Sequence, residues 1–312
     1  MNDKFKFFCG TVALIGRPNA GKSSLINALL KSRAQIVSPK AQTTRNAVRC
    51  IYTDESKNLQ IIFIDTPGLF KVKNNNDKLS RYLNDAVKNA LEDCDLIFWI
   101  VDSGAKNLNE DDNEAAEILN DININIKNIP VVLVANKSDK FNFDSEKVFK
   151  LYESIYKFNN KISVSAKFNK NIDKLIELAK SYMPEQGFLY DPEILIDSTE
   201  KFMAEEIIRE KILLFLRDEV PHCTAVNIEE YKSPDEYPER KNLYIRAVLT
   251  VETEGQKKIL IGNNGSMIKK IGMSARNSLE DLTGFKIYLD LWVKIYPNWR
   301  KNINALKNLG YA

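Results

Sequence analysis

Histidine is all but missing from this chain: His222 is the one imidazole among 312 residues. It follows Pro221 in a stretch that reads as a turn between a helix and a strand, so it is expected to be structural. A Ser-His-Asp centre needs an imidazole beside its nucleophile, and that chemistry is not supported. Cysteine is scarce as well. Cys9, Cys50, Cys94 and Cys223 are scattered with no CxxC pair, which argues against a zinc site and against a disulfide framework. Buried free thiols in a reducing compartment are the expectation. No run of about 18 apolar residues occurs, so no membrane-spanning helix is expected. Residues 1–8 are charged and aromatic and do not read as a signal peptide. Repeats, low-complexity tails and lipidation motifs are lacking too. Net charge is small, with 45 Lys and Arg against 42 Asp and Glu leaving +3. That balance permits a nucleic-acid partner without demanding one.

What the chain does have is periodicity. Strands are expected over 11–15, 48–52, 59–64, 96–101, 131–135 and 161–164, and helices over 24–31, 78–93, 110–122, 145–158 and 172–182. Such alternation implies an α/β domain with a mostly parallel sheet and helices on both faces. The pair 48–52 and 59–64, joined by a short polar turn, reads as an antiparallel edge hairpin. Residues 184–198 carry two prolines and no period, and read as a linker. From 199 the pattern becomes helix 199–219, strands 225–231 and 243–252, helix 256–261, a glycine loop at 262–265, helix 266–282, strand 286–296 and helix 299–309. A first domain over 1–183 and a second, α+β domain over 199–312 follow from this change of pattern.

Gly16-Arg17-Pro18-Asn19-Ala20-Gly21-Lys22-Ser23 fits G-x-x-x-x-G-K-[ST] and stands between a strand and a helix, the context the motif requires. Its glycines let backbone N–H groups curl toward phosphate oxygens, and the helix start adds its positive end. Gly16, Asn19, Ala20, Gly21, Lys22, Ser23 and Ser24 are therefore expected to bind nucleotide. Lys22 should reach the β- and γ-phosphates, and the Ser23 hydroxyl should ligate Mg2+. Asp65-Thr66-Pro67-Gly68 closes a later strand: Asp65 is expected to hold Mg2+ through water, and Gly68 to approach the γ-phosphate and allow switching. Asn136-Lys137-Ser138-Asp139 follows another strand. Asp139 can accept from guanine N1 and N2, a donor pair that adenine lacks. Asn136 should tie this loop to the phosphate loop, and Lys137 should lie along the base. Ser165-Ala166-Lys167 follows the last short strand, with the Ala166 N–H facing guanine O6. Order and strand-end positions together read as a GTP and GDP site.

Residues 10–182 resemble a GTPase domain of the translation-factor class, and Gln42-Thr43-Thr44-Arg45 resembles switch I of the Era family. That resemblance implies a P-loop GTPase in which Thr44, with Thr43 as the alternative, closes on Mg2+. Lys22, Thr44 and Gly68 are then the expected catalytic residues, and Ser23, Thr44 and Asp65 the metal ligands. Where many GTPases carry a water-orienting Gln after DxxG, this chain has Leu69, an apolar residue and a departure that Era-like proteins share. Slow intrinsic hydrolysis is the expectation. Related GTPases hold K+ with an Asn at the position of Asn19, so K+ stimulation is expected here as well.

Ile259-Leu260-Ile261-Gly262-Asn263-Asn264-Gly265-Ser266-Met267-Ile268 matches the KH signature I-G-x-x-G-x-x-I, whose loop clamps about four nucleotides of unpaired RNA. Gly262, Asn263, Asn264 and Gly265 form the expected clamp, with Lys257, Lys258, Lys269, Lys270 and Arg276 supplying phosphate charge. Ile259, Ile261 and Ile268 are expected on the groove floor or beneath it. The leading helix resembles a type II KH domain. Arg209-Glu210-Lys211 and Asn298-Trp299-Arg300 extend the Era resemblance over about residues 9–310. It implies a monomeric, cytoplasmic ribosome-assembly GTPase that binds the 3′ end of 16S-type ribosomal RNA on the 30S subunit, with some peripheral membrane contact at the inner face. The rival reading is a membrane-associated regulatory GTPase whose basic C-terminal module meets anionic lipid; the chain shows no amphipathic basic anchor for it.

Overall fold

The structure, a computed structural model, describes residues 6–30, 48–66, 78–125, 127–141 and 143–311. The chain divides into two compact units with a boundary between Asp197 and Ser198.

In the first unit the elements run β1 (Phe8–Ile15), α1 (Lys22–Leu29), β2 (Val48–Asp54), β3 (Leu59–Asp65), α2 (Lys78–Glu92, of which residues 78–82 group with the second unit), β4 (Leu96–Asp102), α3 (Glu110–Asn125), β5 (Val131–Asn136), α4 (Ser145–Glu153), β6 (Asn160–Ser163), α5 (Ile172–Lys180) and β7 (Ile196–Asp197). Strand order in the sheet is β6-β5-β4-β1-β3-β2-β7. Pairings around β1, β4, β5 and β6 are parallel, while β2 runs antiparallel to both β3 and β7. The central strands are apolar on both faces, as burial on two sides demands. On one face Leu25, Ile26, Leu175 and Ile176 pack over Val12, Leu14, Phe63 and Phe98. On the other, Leu91, Leu119, Val148 and Phe149 cover Ala13, Ile15, Trp99 and Leu133. Parallel strands with helices between them bring the loops after β1, β3, β5 and β6 to the carboxyl ends of the strands, where α/β sheets bind ligands.

Several boundaries differ from expectation: α1 spans Lys22–Leu29 against the expected 24–31, and α4 stops at Glu153 against 158. Strand β1 begins at Phe8, not 11, because pairing with β3 continues to Phe8 opposite Leu59. The expected linker over 184–198 is held to this unit through Asp197 and does not hang free. Cys9 N donates to the Pro184 carbonyl at 3.1 Å and Gln186 N to Phe7 at 3.0 Å. Buried Gln60 then accepts from Leu189 N (2.8 Å) and Tyr190 N (3.0 Å) and donates to the Tyr190 carbonyl (2.9 Å). One amide thus replaces the ladder that an aperiodic stretch cannot make. Pairing of Arg49 with Asp197 and Cys50 with Ile196 puts β7 outside β2, so β2 is not the sheet edge.

The second unit contains α6 (Glu200–Phe215), β8 (Ala225–Lys232), β9 (Leu243–Val251), α7 (Glu254–Ile261), α8 (Ser266–Thr283), β10 (Ile287–Ile295) and α9 (Ile303–Asn308). Its sheet order is β10-β9-β8, with β10 parallel and β8 antiparallel to β9. This is the expected α-β-β-α-α-β order. Helix α6 stops at Phe215 rather than 219, and the turn after it takes Asp218 left-handed at φ +55°. Thr253 and Gln256 form a reciprocal capping box that starts α7. Ile271, Ala275 and Leu279 recur every four residues on α8 and meet Ile245, Ala247 and Leu249 of β9, with Ile208 and Ile212 of α6 completing the core. Cys9, Cys50, Cys94 and Cys223 are free and buried, as expected. Among the described residues no helix is long and apolar enough to cross a membrane.

Candidate functional site

At the end of β1 the chain turns through Gly16, whose φ is +142°. A Cβ there would stand 2.1 Å from the Ile100 carbonyl oxygen of β4, so only glycine lets the loop lie against the sheet. Gly21, at φ +95°, would put a Cβ 2.4 Å from Asn136 Nδ2. Gly21 is the N-cap of α1 and no side chain caps this end. The first-turn N–H groups and the positive helix end are left for an anion. Lys22 is 9% exposed and donates to the carbonyls of Gly16 (2.8 Å) and Arg17 (3.3 Å). Burial lowers its ammonium from the ordinary lysine value, which the Asp65 carboxylate partly offsets. A cation held on loop carbonyls inside a ring of N–H groups is set to meet phosphate.

Ser23 Oγ donates to Asp65 Oδ2 at 3.0 Å, and Asp65 is 3% exposed at the end of β3. Thr66 Oγ1 fixes that strand end by donating to the Leu14 carbonyl at 2.6 Å. A hydroxyl and a nearly buried carboxylate side by side are hard oxygen donors, the chemistry Mg2+ prefers. These residues fit the ion.

Asn136, 1% exposed at the end of β5, joins three loops. Its Nδ2 donates to the Ala20 and Gly21 carbonyls, each at 3.3 Å, and its Oδ1 accepts from Lys137 N at 2.8 Å and Ala166 N at 3.1 Å. Lys137 is left-handed at φ +64°, and its Nζ donates to the Asn19 carbonyl at 2.5 Å and to Asp102 Oδ2 at 2.9 Å. Fully buried Ser165 donates from Oγ to Asp139 Oδ1 at 2.5 Å. That hydrogen bond is the largest influence holding the Asp139 carboxyl below its usual range, so it stays an acceptor. The Ala166 N–H, expected to face guanine O6, donates to Asn136 Oδ1 at 3.1 Å, which ties the Ser-Ala-Lys loop to the same amide.

Other side chains here escaped the sequence reading. Asp102, at the end of β4, accepts from Lys137, from Lys140 Nζ (2.6 Å) and from Gly104 N (2.8 Å). Burial would raise its pKa, but the two lysines outweigh it and hold it low. Its position at a strand end was the available signal. Arg17 Nε donates to both oxygens of Asp112 at 2.8 Å, and Asp112, 1% exposed, also accepts from Tyr152 Oη at 3.2 Å. In sequence Asp112 is only one of three acids opening α3, so nothing marked it out. Thr43, Thr44, Pro67, Gly68 and Leu69 lie outside the described residues.

The second glycine loop follows α7. Gly262 (φ +74°), Asn264 (+49°) and Gly265 (+77°) are all left-handed. A Cβ on Gly262 would come within 2.7 Å of Met267 Cβ, whereas one on Gly265 would meet nothing within 4 Å. Asn263 and Asn264 are exposed at the tip, and Gly265 caps α8 with no side-chain bond to its N-terminus. Lys257 and Lys258 precede the loop on α7, and Lys269 and Lys270 follow it on α8. Two expected contributors stand apart. Arg276 is ten residues into α8 from Ser266, about 15 Å along its axis. Lys270 Nζ lies 4.5 Å from the centre of the Phe215 ring, a cation–π contact that draws it toward α6. Ile268 packs against the core, but Ile259 is 51% exposed and leaves Leu260 as the buried residue of that turn.

Comparison with known proteins agrees with this geometry. A family model described as "50S ribosome-binding GTPase" matches residues 11–137, and a "KH domain" model matches residues 219–300. GTPase Era of Caldanaerobacter subterraneus subsp. tengcongensis is 41% identical over 304 residues, covering 97% of each chain. GTPase Era of Clostridioides difficile is 39% identical over 308 residues, covering 98% of this chain and 99% of its own. The crystal structure of an Era in complex with MgGDPNP and nucleotides 1506-1542 of 16S ribosomal RNA superposes with a TM-score of 0.85 at 35% identity, covering 98% of this chain and 99% of that one. An Aquifex aeolicus Era variant bound to GDP.AlF4- gives 0.84 at 35% identity, with 98% and 100% covered. With its strand-end phosphate and base loops in one unit and its glycine clamp in the other, the chain belongs to the Era family of GTPases.

Proposed function

We propose that this protein is a GTP-hydrolysing switch that grips the unpaired 3′ end of small-subunit ribosomal RNA during assembly of that subunit. The observation that carries the nucleotide half is the Asn136 amide, which locks the phosphate loop, the Asn-Lys-Ser-Asp loop and the Ser-Ala-Lys loop into one body. Asp139, kept ionised by Ser165, supports guanine as the base. The RNA half is supported by the Gly262–Gly265 loop and by the relative solved with 16S ribosomal RNA.

Phosphoryl transfer asks a protein for positioning and for neutralisation of charge. The N–H groups between Gly16 and Ser23 hold the β-phosphate, and Lys22 exchanges its loop carbonyls for β- and γ-oxygens. Ser23 and Asp65 would hold Mg2+, joined by Thr44; the ion, when bound, supplies positive charge to the phosphates. Gly68 gives the γ-phosphate its close backbone contact. Leu69 brings no hydrogen bond to the attacking water, so unassisted turnover is slow. Asn19, left-handed at φ +66° in the loop, is the residue proposed to recruit K+. The site of action is the cytoplasm and the working form a monomer, with peripheral contact at the inner membrane face.

Turnover of GTP by the purified protein, in K+ and in Na+, tests the first half. Faster hydrolysis in K+ is expected, lost in Asn19→Ala; equal rates in the two salts refute the K+ assignment. Crosslinking to cellular RNA with GTP-locked and GDP-bound protein tests the second. Enrichment of the 16S 3′ end is expected, and its absence from both samples overturns the RNA reading. Co-sedimentation with anionic vesicles tests the membrane contact.

A further inference from the structure

The outer face of the C-terminal sheet carries side chains that the glycine clamp does not use. Along β9, Ile245, Ala247 and Leu249 are fully buried toward the helices, so Tyr244, Arg246 and Val248 face the other way. Edge strand β10 presents Tyr288 and Trp292 on that same outer face, 63% and 60% exposed, and Tyr296 just beyond the strand is 38% exposed. Their spacing of four residues keeps all three on one side of a strand. Scattered exposed aromatics need no explanation, but a row on one sheet face does.

These rings are held in place. Tyr288 stacks on Tyr244 with centroids 5.8 Å apart and planes at 16°. Trp292 Nε1 donates to Asp290 Oδ2 at 2.9 Å, and the same oxygen accepts from Arg246 Nε at 3.2 Å and Tyr244 Oη at 3.3 Å. Cations surround the stack: Lys232 Nζ, the Arg240 guanidinium and the Arg246 guanidinium lie 5.8, 5.4 and 5.8 Å from the Tyr244 ring centre. Lys294 is exposed on the same face of β10. Four cations thus meet two carboxylates, Glu230 and Asp290, and both carboxylates are already paired with neighbouring cations.

We propose that this face is a second RNA-contact surface, a platform on which unpaired bases stack while the surrounding cations hold the phosphates. Rigid rings interleaved with Lys and Arg are what a polymer of flat bases and anionic links requires. A lipid surface or an apolar protein patch would have to bury the Arg246–Asp290 pair among the rings, which desolvates two charges for little return. The strand that carries the platform also packs on the helix that leaves the clamp: Leu291 of β10 lies 3.3 Å from where a Cβ on Gly272 of α8 would stand. One RNA strand leaving the glycine loop can therefore pass the edge of β10 onto this face. The inference rests on the RNA reading above, which supplies the strand.

The test uses the full chain and two single-stranded oligonucleotides from the 16S 3′ end, one of four residues that fits the clamp alone and one of about twelve. Tyr288→Ala and Trp292→Ala should each weaken the longer RNA about tenfold, the loss of about 1.4 kcal/mol of base stacking, and leave the four-residue RNA unchanged. Trp292→Phe should restore most of the loss, and the far-ultraviolet spectrum checks that each variant folds. Asn263→Asp with Asn264→Asp, which adds two charges at the clamp, should weaken both RNAs. If the ring variants bind the longer RNA as the parent does while the clamp variant fails, the platform is overturned and the clamp stands. If they lose 30S subunits but not the longer RNA, the face belongs to a protein and the platform is again overturned. If the parent binds neither oligonucleotide, the RNA reading itself falls.

Discussion

The two glycine loops share left-handed backbone but differ in enclosure. At the nucleotide end the missing Cβ atoms of Gly16 and Gly21 are replaced by a backbone carbonyl at 2.1 Å and a buried amide at 2.4 Å. At the RNA end Gly265 faces open space, and only Gly262 is crowded, by Met267. A loop walled in by its own domain fixes one small ligand in one pose and keeps water out. A loop open at its tip leaves room for a polymer to enter and leave sideways. Difference in enclosure therefore predicts difference in tolerance, and substitutions at the two loops should separate accordingly.

The largest effect is expected from Gly16→Ala. The new methyl collides with the Ile100 carbonyl of a central strand, and the backbone angle disfavours any side chain. About 3 kcal/mol of destabilisation follows from overpacking and backbone strain together. Binding of a fluorescent GDP analogue should fall at least a hundredfold; a variant that binds as the parent does breaks the comparison at its strongest point. Asp139→Asn comes next and sharpens it, because it leaves the enclosure intact and changes only what the base meets. Two hydrogen bonds to a carboxylate are lost, worth about 3 kcal/mol, so GTP affinity should drop about a hundredfold while xanthosine triphosphate gains. Unchanged GTP binding in a nucleotide titration counts against the base assignment. At the RNA end the glycines should behave unequally. Gly262→Ala meets Met267 and should lower the stability of its unit by about 2 kcal/mol, against about 1 kcal/mol for Gly265→Ala, where only the backbone angle is strained. Denaturant titrations of the two variants read the gap directly; equal losses would mean that Met267 yields.

The same contrast explains what the sequence could reveal. Gly16, Lys22, Asn136 and Gly262 belong to short motifs whose spacing carries the chemistry, and alternation of apolar runs was enough to order the strands and helices around them. Gln60 is different. Nothing in an apolar strand announces that one amide will hold Leu189 and Tyr190, so 184–198 reads as linker from sequence alone. Asp112 is one acid among several until Arg17 and Tyr152 converge on it. Arg276 and Lys270 are near the clamp in sequence, but a helix stretches that nearness at about 1.5 Å per residue and a neighbouring ring holds the Lys270 ammonium. Long-range partners of single polar side chains are set by tertiary packing, which local pattern does not encode.

Desolvation shifts one ionisable group in each unit, Lys22 in the first and Glu205 in the second, and the smallest predicted effect separates their uses. Lys22 is buried beside phosphate-seeking N–H groups and gains its counter-charge from ligand. Glu205 of α6 has no such visitor: it accepts from Ile228 N at 2.8 Å beside the β8 irregularity, and burial pushes its carboxyl up to about 7, with Glu206 adding to the rise and the Ile228 N–H opposing it. Its ordinary value is 4.5, so the folded unit holds this proton more tightly than the unfolded chain does. The resulting stability is fully present below about 4.5 and is lost as pH rises through about 7. Because the group is partly exposed, the loss between those limits should be only about 1 kcal/mol. Glu205→Gln keeps an oxygen for Ile228 N and removes the charge, so at pH 8 it should melt about 4–8 °C above the parent and at pH 4.5 alongside it. Glu230 and Glu280 are held low by their own partners and give slopes of the opposite sign at acid pH, but they are present in both proteins. The difference between the two melting curves against pH therefore isolates Glu205, and a difference that stays flat would show that its carboxyl ionises in the fold as freely as in water.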